Sequence, residues 1–240
     1  MVSIIHRPPL SLQIVVLAAG FSSRLGRPKT LARIHGVSLL GRTICVLAQV
    51  TRQKIVVVTA ERATRVRIEL RGRPVSFLAN RGRAGGLSTS VARGLRRTRY
   101  SGATLFLPAD LPDLAPRDIA RLISRWRGAR RRVVARTTTG RASTPLILPK
   151  FLYPQALRLS GDVGLRDLVA ALRIEQRTLV ELPSAARDID TPQDLAEARR
   201  RAPRRSPDRR KGTGYQSSVR SFATCEAVKS EPLAPKSEVT

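Results

Sequence analysis

The segment Leu17-Ala-Ala-Gly-Phe-Ser-Ser-Arg-Leu-Gly-Arg-Pro-Lys29 constrains the fold of this chain more than any other. It follows an apolar run, Ile14-Val15-Val16-Leu17, whose β-branched residues read as a buried strand. The strand then breaks into small residues. Ala18, Ala19 and Gly20 hold nothing bulky in the way, so backbone N–H groups can come close to a phosphate or a base edge. Two cations follow at fixed offsets, Arg24 and Lys29. A strand, a small-residue loop and two spaced cations form a cradle suited to a nucleoside triphosphate. The spacing is neither that of a Walker A loop nor that of the dinucleotide-binding glycine fingerprint.

The rest of the chain repeats the strand-then-loop theme. Strand-like runs fall at 13–17, 54–58, 75–78, 103–107, 133–136 and 146–148. Helical patterns lie between them at 39–49, 63–70, 87–97 and 118–126. Such alternation predicts βαβ units, a mostly parallel sheet and right-handed crossovers. Ligands of such sheets bind beyond the carboxyl ends of the strands. The loops after Leu17 and Leu107 lie at two such ends, so Gly20 and Asp110 are expected to meet. A shorter helix is expected over 165–172. Another follows Asp190, with Thr191 as its N-cap, Pro192 in its first turn and Asp194 at the positive end of its dipole. Residues 1–11 read as a lead-in, 12–201 as one domain, and 202–240, rich in Pro, Ser, Lys and Arg, as a disordered basic tail.

Composition narrows the choice further. The hydrophobic fraction of 42% supports a sizeable core, and with aromatics at 4% that core must be aliphatic, as in a sheet buried on both faces. No apolar run reaches the length of a membrane span, and no apolar leader opens the sequence, so a cytoplasmic location is expected. Two cysteines, Cys45 and Cys225, make no disulfide framework. The formal net charge of +28 raises a nucleic-acid-binding reading. Against it, the chain carries 39 arginines and six lysines, with the cations spread over almost every predicted helix instead of along one stripe. Arginine substituted for lysine throughout the chain explains that pattern better than a nucleic-acid footprint.

The loop LAAGFSSRLGRPK resembles the signature of nucleotidyltransferases that share a Rossmann-like, glycosyltransferase-A-type fold, a three-layer α/β/α sandwich. Four later segments support the resemblance in order. They are the Asn80-to-Gly94 stretch with Gly85, Gly86 and Ser90, then Leu107-Pro-Ala-Asp-Leu-Pro112, Ser160-Gly-Asp-Val-Gly164, and Asp188-Ile-Asp-Thr-Pro-Gln-Asp-Leu195. Among these enzymes the chain is most similar to molybdenum cofactor cytidylyltransferases and guanylyltransferases. The resemblance implies Mg²⁺-dependent transfer of a nucleotide to molybdopterin with release of pyrophosphate. Partners beyond the substrates would be a molybdoenzyme or its chaperone. It implies CTP over GTP on one residue, Ala19, where guanylyltransferases usually carry glycine; a methyl there would narrow the base pocket. The alternatives within the class are a GTP-dependent guanylyltransferase or another small-phosphate nucleotidyltransferase. The alternative outside it is a basic nucleic-acid-binding protein that kept the fold.

The residues themselves carry this chemistry. A phosphate oxygen attacking an α-phosphorus is already anionic, so the protein needs no strong general base. It must screen charge, hold the attack in line and stabilise the leaving pyrophosphate. That fits a chain whose only histidines, His6 and His35, lie in the lead-in and in a turn. Asp110, stiffened between Pro108 and Pro112 just past a strand, is the candidate Mg²⁺ ligand, and Asp190 the second. Alone, each would pass for a turn or capping aspartate. The resemblance assigns this pair to the metal, Lys29 to the α-phosphate, Arg24 to the outgoing phosphates, and Asp162 to the second substrate. Leu17, Ala18, Ala19 and Gly20 would supply backbone to the nucleotide. An amide at Asn80 and a hydroxyl at Ser90 can read a base edge or ribose, or simply cap a glycine-rich loop. One departure stands out: Arg141-Ala-Ser-Thr-Pro145 replaces the Gly-His-Pro of many cytidylyltransferases, at a segment expected to line the second-substrate pocket.

Overall fold

A computed structural model describes residues 11–20, 28–138 and 140–201. The expectations for the lead-in, for Arg24, for Cys225 and for the tail fall outside these residues. In chain order the elements are β1 (Leu12–Ala18), β2 (Arg33–Ile34), β3 (Val37–Ser38), α1 (Leu39–Ala48), β4 (Ile55–Ala60), α2 (Thr64–Glu69), β5 (Val75–Asn80), α3 (Leu87–Arg97), β6 (Ala103–Pro108), α4 (Pro116–Gly128), β7 (Val133–Thr138), β8 (Arg141–Pro149), α5 (Tyr153–Ala156), α6 (Leu165–Ala170), β9 (Arg177–Glu181) and α7 (Pro192–Arg200).

Seven strands form one sheet in the order β5-β4-β1-β6-β8-β7-β9. Strands β5, β4, β1 and β6 are mutually parallel, as the βαβ alternation predicts. Strand β8 runs antiparallel to both β6 and β7, while β9 is parallel to β7. The sheet is therefore mostly parallel with one reversed strand. The reversal follows from connection length, because β7 and β8 are separated by two residues and only a hairpin closes so short a loop. Strand β8 is longer than the apolar run 146–148, and its first half is the Arg-Ala-Ser-Thr-Pro segment that reads as loop. Strand β9, Arg-Thr-Leu-Val-Glu, escapes a reading by apolar runs because four of its five residues are only half-buried or exposed.

Both faces of the central strands are covered. On β1, Ile14, Val16 and Ala18 join one apolar cluster with Leu40, Ile44 and Leu47 of α1, Val66 of α2, and Ile119, Leu122 and Trp126 of α4. The intervening Val15 joins the opposite cluster with Val91 and Leu95 of α3, Tyr153 of α5, and Leu165 and Val169 of α6. This period-2 division of a continuous apolar run is what a strand buried on two faces requires. A third, smaller cluster unites Ala32, Ile34 and Leu39 with Ile189, Leu195 and Ala198, so α7 packs against the β2–β3 hairpin. That hairpin turns through His35 and Gly36, both at positive φ, which is the turn type that suits a two-residue hairpin loop. His35 is exposed, with Nε2 3.0 Å from the Arg201 carbonyl oxygen, as befits a structural histidine.

Helix α3 sits close on the sheet because it carries glycine at the contact. A Cβ on Gly94 would lie 2.9 Å from Val15 Cγ1 and 3.0 Å from Phe106 Cε1. Gly94→Ala sets two effects against each other. Alanine favours a helix interior by about 1 kcal/mol over glycine, while overpacking a tight core costs about 1–3 kcal/mol. Val15 and Phe106 are fully buried and have little room to yield, so the packing cost should win. Urea unfolding should show a net loss of about 1 kcal/mol; a gain would mean that α3 can lift off the sheet without penalty.

Candidate active site

The site forms beyond the carboxyl ends of β1 and β6. Strand β1 ends at Ala18 and β6 at Pro108, paired in register with Leu17. Asp110 lies two residues past β6 and is 9% exposed. Lys29 opens the 3₁₀ turn Lys29–Leu31, where the chain returns from the loop after β1. Asp190 arrives from the far end of the sequence, on a strap that leaves β9, crosses the sheet end and becomes α7. Two contacts hold the strap there. The Ile189 N–H donates to the Asp110 carbonyl oxygen at 3.0 Å, and the Ile189 side chain belongs to the cluster that includes Ala32, three residues past Lys29.

Lys29 Nζ therefore reaches two carboxylates, Asp110 Oδ2 at 2.6 Å and Asp190 Oδ1 at 2.7 Å. Burial alone would lower the Lys29 pKa, but the two carboxylates outweigh it and hold the ammonium above its usual range. Asp110 is shifted up as well. Burial is the main cause, opposed by Lys29 and reinforced by the charges of Asp188 and Asp190. The Lys29 shift is set by the two carboxylates, whereas that of Asp110 is set first by its burial. Asp110 Oδ1 is buried with no hydrogen-bond partner.

These features fit a divalent cation. Mg²⁺ takes oxygen donors and binds through one or two carboxylates, with substrate phosphates and water completing its shell. Asp110 and Asp190 converge on one point, and Asp110 still has an unpartnered oxygen. Among the described residues no group of three or more His, Cys, Asp or Glu is placed to hold a metal, consistent with a site that substrate oxygens complete.

The other predicted residues fall around this centre with different outcomes. Leu17 is half-buried and Gly20 is exposed with open space around it, so the strand end is accessible there. Ala18 and Ala19 are buried on opposite faces, and the Ala19 methyl packs in the apolar cluster with Val15 and Val91. Asn80 and Ser90 do come together, but with each other: Asn80 Nδ2 donates to Ser90 Oγ and to Thr89 Oγ1, both at 2.9 Å. The Asn80 side chain is buried, so in this structure the amide ties the end of β5 to the first turn of α3. Asp162 is exposed on a loop that lies against that same turn. The Gly161 carbonyl accepts from the Ser88 N–H at 3.1 Å, capping a helix end that an anion could otherwise use.

Three residues emerge only from the structure. Thr89 shares the Asn80 clamp. Asp188 adds charge beside Asp110, and its alternation with Asp190 in Asp-Ile-Asp was the signal for it. Arg136 is buried at the carboxyl end of β7; a charge closing the apolar run 133–136 was the clue there. A cavity of about 350 Å³ lined by Gln13, Lys54, Ser76 and Arg97 lies at the opposite, amino ends of the strands and has no part in this site.

Comparison with known proteins shows which family the chain resembles. A family model described as a MobA-like NTP transferase domain matches residues 14–178. A probable molybdenum cofactor guanylyltransferase of Rhodopirellula baltica is 32% identical over 198 residues, covering 79% of this chain and 92% of the relative. A phosphoenolpyruvate guanylyltransferase of Rubrobacter xylanophilus is 38% identical over 117 residues, 46% of this chain and 55% of that one. The crystal structure of Rv0371c from Mycobacterium tuberculosis H37Rv superposes with a TM-score of 0.65 at 25% identity, covering 80% of this chain and all of that one.

The loop contact next to Asp162 has its own consequence. Gly86 has φ +87° and ψ −171°, a region essentially reserved for glycine. A Cβ there would stand 2.3 Å from the Gly161 carbonyl carbon and oxygen. Gly86→Ala should cost about 1–3 kcal/mol of stability from backbone strain and push the 160–164 loop away. Thermal unfolding, with amide exchange at Ser88, reads both effects. Unchanged Ser88 protection would show that the two loops do not depend on one another.

Proposed function

The chain belongs to the family of MobA-like NTP transferase domains, and we propose on that premise that it transfers a guanylyl group from GTP to molybdopterin, releasing pyrophosphate. It is a nucleotidyltransferase with the fold expected for one. The observation that carries the chemistry is Lys29 held between Asp110 and Asp190 at the ends of β1 and β6. The choice of GTP is supported by the relative named as a probable molybdenum cofactor guanylyltransferase, which is matched over most of its length. The preference for CTP rested on the Ala19 methyl, which lies in the core. Molybdopterin as acceptor is supported by the same relative.

In the proposed reaction a phosphate oxygen of molybdopterin attacks the α-phosphorus of GTP. The bond to the bridging oxygen breaks and pyrophosphate leaves. Asp110 and Asp190 would hold Mg²⁺, which supplies Lewis-acid neutralisation of phosphate charge when bound. This chain's own contribution is placement and fixed charge. Lys29, presented by a short turn, lies where the triphosphate must pass over the end of β1. Strand-end backbone from Leu17 to Gly20 leaves room for the nucleotide to approach. Asp162, exposed on the loop that touches the first turn of α3, would meet the acceptor.

Pyrophosphate release with GTP or CTP, with and without molybdopterin, and with phosphoenolpyruvate as a competing acceptor, tests the proposal. Turnover should require GTP and molybdopterin together. Turnover with CTP alone would restore the cytidylyl reading, and turnover with phosphoenolpyruvate would replace the acceptor.

Two variants test the assigned roles. Asp110→Ala should abolish turnover and remove the rise in Tm that Mg²⁺ and GTP give the wild type, with the fold intact. Retained turnover at limiting Mg²⁺ would remove Asp110 from the site. Lys29→Ala should lower kcat about 10²–10³-fold, the scale for one preorganised donor at a centre of developing charge. GTP binding should fall much less, because charge on the leaving pyrophosphate grows mainly in the transition state. An equal fall in affinity and in kcat/KM, with kcat unchanged, would make Lys29 a binding cation only.

A further inference from the structure

The strap from β9 to α7 has to be held at a fixed height, because it delivers Asp188 and Asp190 to Asp110. Several anchors do this. The Ser184 N–H donates to Asp118 Oδ2 at 2.9 Å, and Ser184 Oγ accepts from the Ala115 N–H at 2.9 Å. These tie the start of the strap to α4. Asp194 Oδ2 accepts from the N–H groups of Asp190 and Thr191 at 3.0 and 2.7 Å, fixing its end as the capping box of α7. On the surface, Arg187 pairs with Asp113 at 2.6 Å.

The remaining anchor is of a different kind. Arg136 is an arginine of β7 that is 8% exposed, in a chain whose cations otherwise lie mostly at the surface. Its Nη1 donates to the Ala185 carbonyl oxygen of the strap, and its Nη2 donates to Ser143 Oγ of β8 at 2.9 Å. Its Nε is buried with no hydrogen-bond partner. Burial disfavours this charge, and the acidic groups that oppose the cost are Asp188 and Asp110. A buried guanidinium is costly to keep. Methionine or leucine would fill the same space, so a packing role alone does not account for it. A rigid planar fork that spans two chain segments while facing two site carboxylates does.

We propose that Arg136 is a positioning residue: its guanidinium, anchored on Ser143 of β8, grips the Ala185 carbonyl and so sets the approach of Asp188 and Asp190 to Asp110. This inference rests on the reading of Asp110 and Asp190 as the metal pair. It adds that the β7–β8 pair of the sheet, which carries neither Asp110 nor Asp190, governs the geometry of the two carboxylates. Ser143 lies in the Arg-Ala-Ser-Thr-Pro segment that departs from the cytidylyltransferase pattern, so the departure supplies the anchor for this arginine.

The test compares Arg136→Met and Arg136→Lys with the wild type. Amide exchange is followed at Ser184 and Ile189 in the metal-free protein, and Mn²⁺ affinity is measured by titration in the presence of GTP. Loss of a charged hydrogen bond should speed exchange at these two amides by about tenfold or more, with β1, β4 and β6 unchanged. Mn²⁺ affinity should fall about tenfold or more, the scale for removing a group that orients a ligand, while KM for GTP holds. Lysine keeps the charge and loses the fork, so Arg136→Lys should resemble the methionine variant. Wild-type protection and affinity in Arg136→Lys would overturn the proposal in favour of charge alone. Faster exchange spread through the whole sheet would overturn it in favour of general stability. If Arg136→Met does not fold, the lysine variant decides. Asp190→Asn is measured alongside. If it binds Mn²⁺ like the wild type, the metal assignment has failed, and strap exchange then decides the role of Arg136 by itself.

Discussion

The site depends on the placement of one carboxylate. Asp110 is buried just beyond the end of β6, where an ionised group without compensation would be costly. Two cations oppose that cost, while Asp188 and Asp190 add to it. Lys29 comes from the loop after β1, and Arg136 from β7, the strand next to the β9 edge. The strap that brings Asp190 docks its Ile189 N–H on the backbone carbonyl of Asp110 itself. The Lys29–Asp190 contact closes over 161 residues of chain. An exposed ion pair contributes little to stability, about 0–1 kcal/mol, and cannot by itself bring such distant segments together. The work of closure falls to apolar burial in the third cluster, where Ala32, Ile34 and Leu39 meet Ile189, Leu195 and Ala198. The ion pairs then fix orientation within a juxtaposition that the hydrophobic contact has already made.

This division of labour explains which parts of the molecule could be read from its sequence. The parallel half of the sheet, β5-β4-β1-β6, is written in runs such as Ile14–Val16 and Ile55–Val58, where each residue is apolar because both faces are covered. The capping of α7 by Thr191 and Asp194 is equally local and therefore equally legible. The antiparallel edge is not. Strand β8 begins with Arg-Ala-Ser-Thr-Pro, whose place in the sheet is set by pairing with β7, and β9 is a short edge strand with partly exposed residues. Pairing partners distant in sequence determine both, and no local pattern records them. In the site, Asp110, Lys29 and Asp190 were legible from their motifs. Asn80 and Ser90 were legible as neighbours, but their hydroxyl and amide are engaged with one another. Ala19 shows the limit most plainly. Its identity can be read from the chain, but the direction of its methyl depends on which face of β1 continues past the strand end, and that face is the core.

The charge of +28 takes on a narrower meaning beside the structure. Lys29 and Arg136 are buried or half-buried cations, and both face the carboxylates of the site. Most of the other arginines of the described residues are exposed and lie on several helices. A general positive field draws a triphosphate toward the protein at low ionic strength and weakens as salt screens it. It gives no geometry. Geometry comes from the few charges whose positions the fold dictates, and here these are outnumbered by the carboxylates they serve.

The charges gathered at Asp110 bear directly on the proposed reaction. Among the described residues, Asp110, Asp188 and Asp190 face Lys29 and Arg136, and the carboxylates hold the Lys29 ammonium above its usual range. A triphosphate arriving alone would add anionic charge to a cluster already short of cations, so the approach over the end of β1 would be opposed where the reaction must occur. A nucleotide that arrives with a divalent cation reverses the sign of the encounter. On the proposed function, Asp110, whose Oδ1 has no hydrogen-bond partner, and Asp190 would hold that cation, which would supply neutralisation of phosphate charge there. On the same proposal the Lys29 ammonium would act on the phosphates as charge moves toward the leaving group, which is when a fixed cation accelerates transfer instead of merely tightening binding. On that reading the three side chains that tie distant parts of the chain together, Asp110, Lys29 and Asp190, would also be the ones that receive metal and nucleotide.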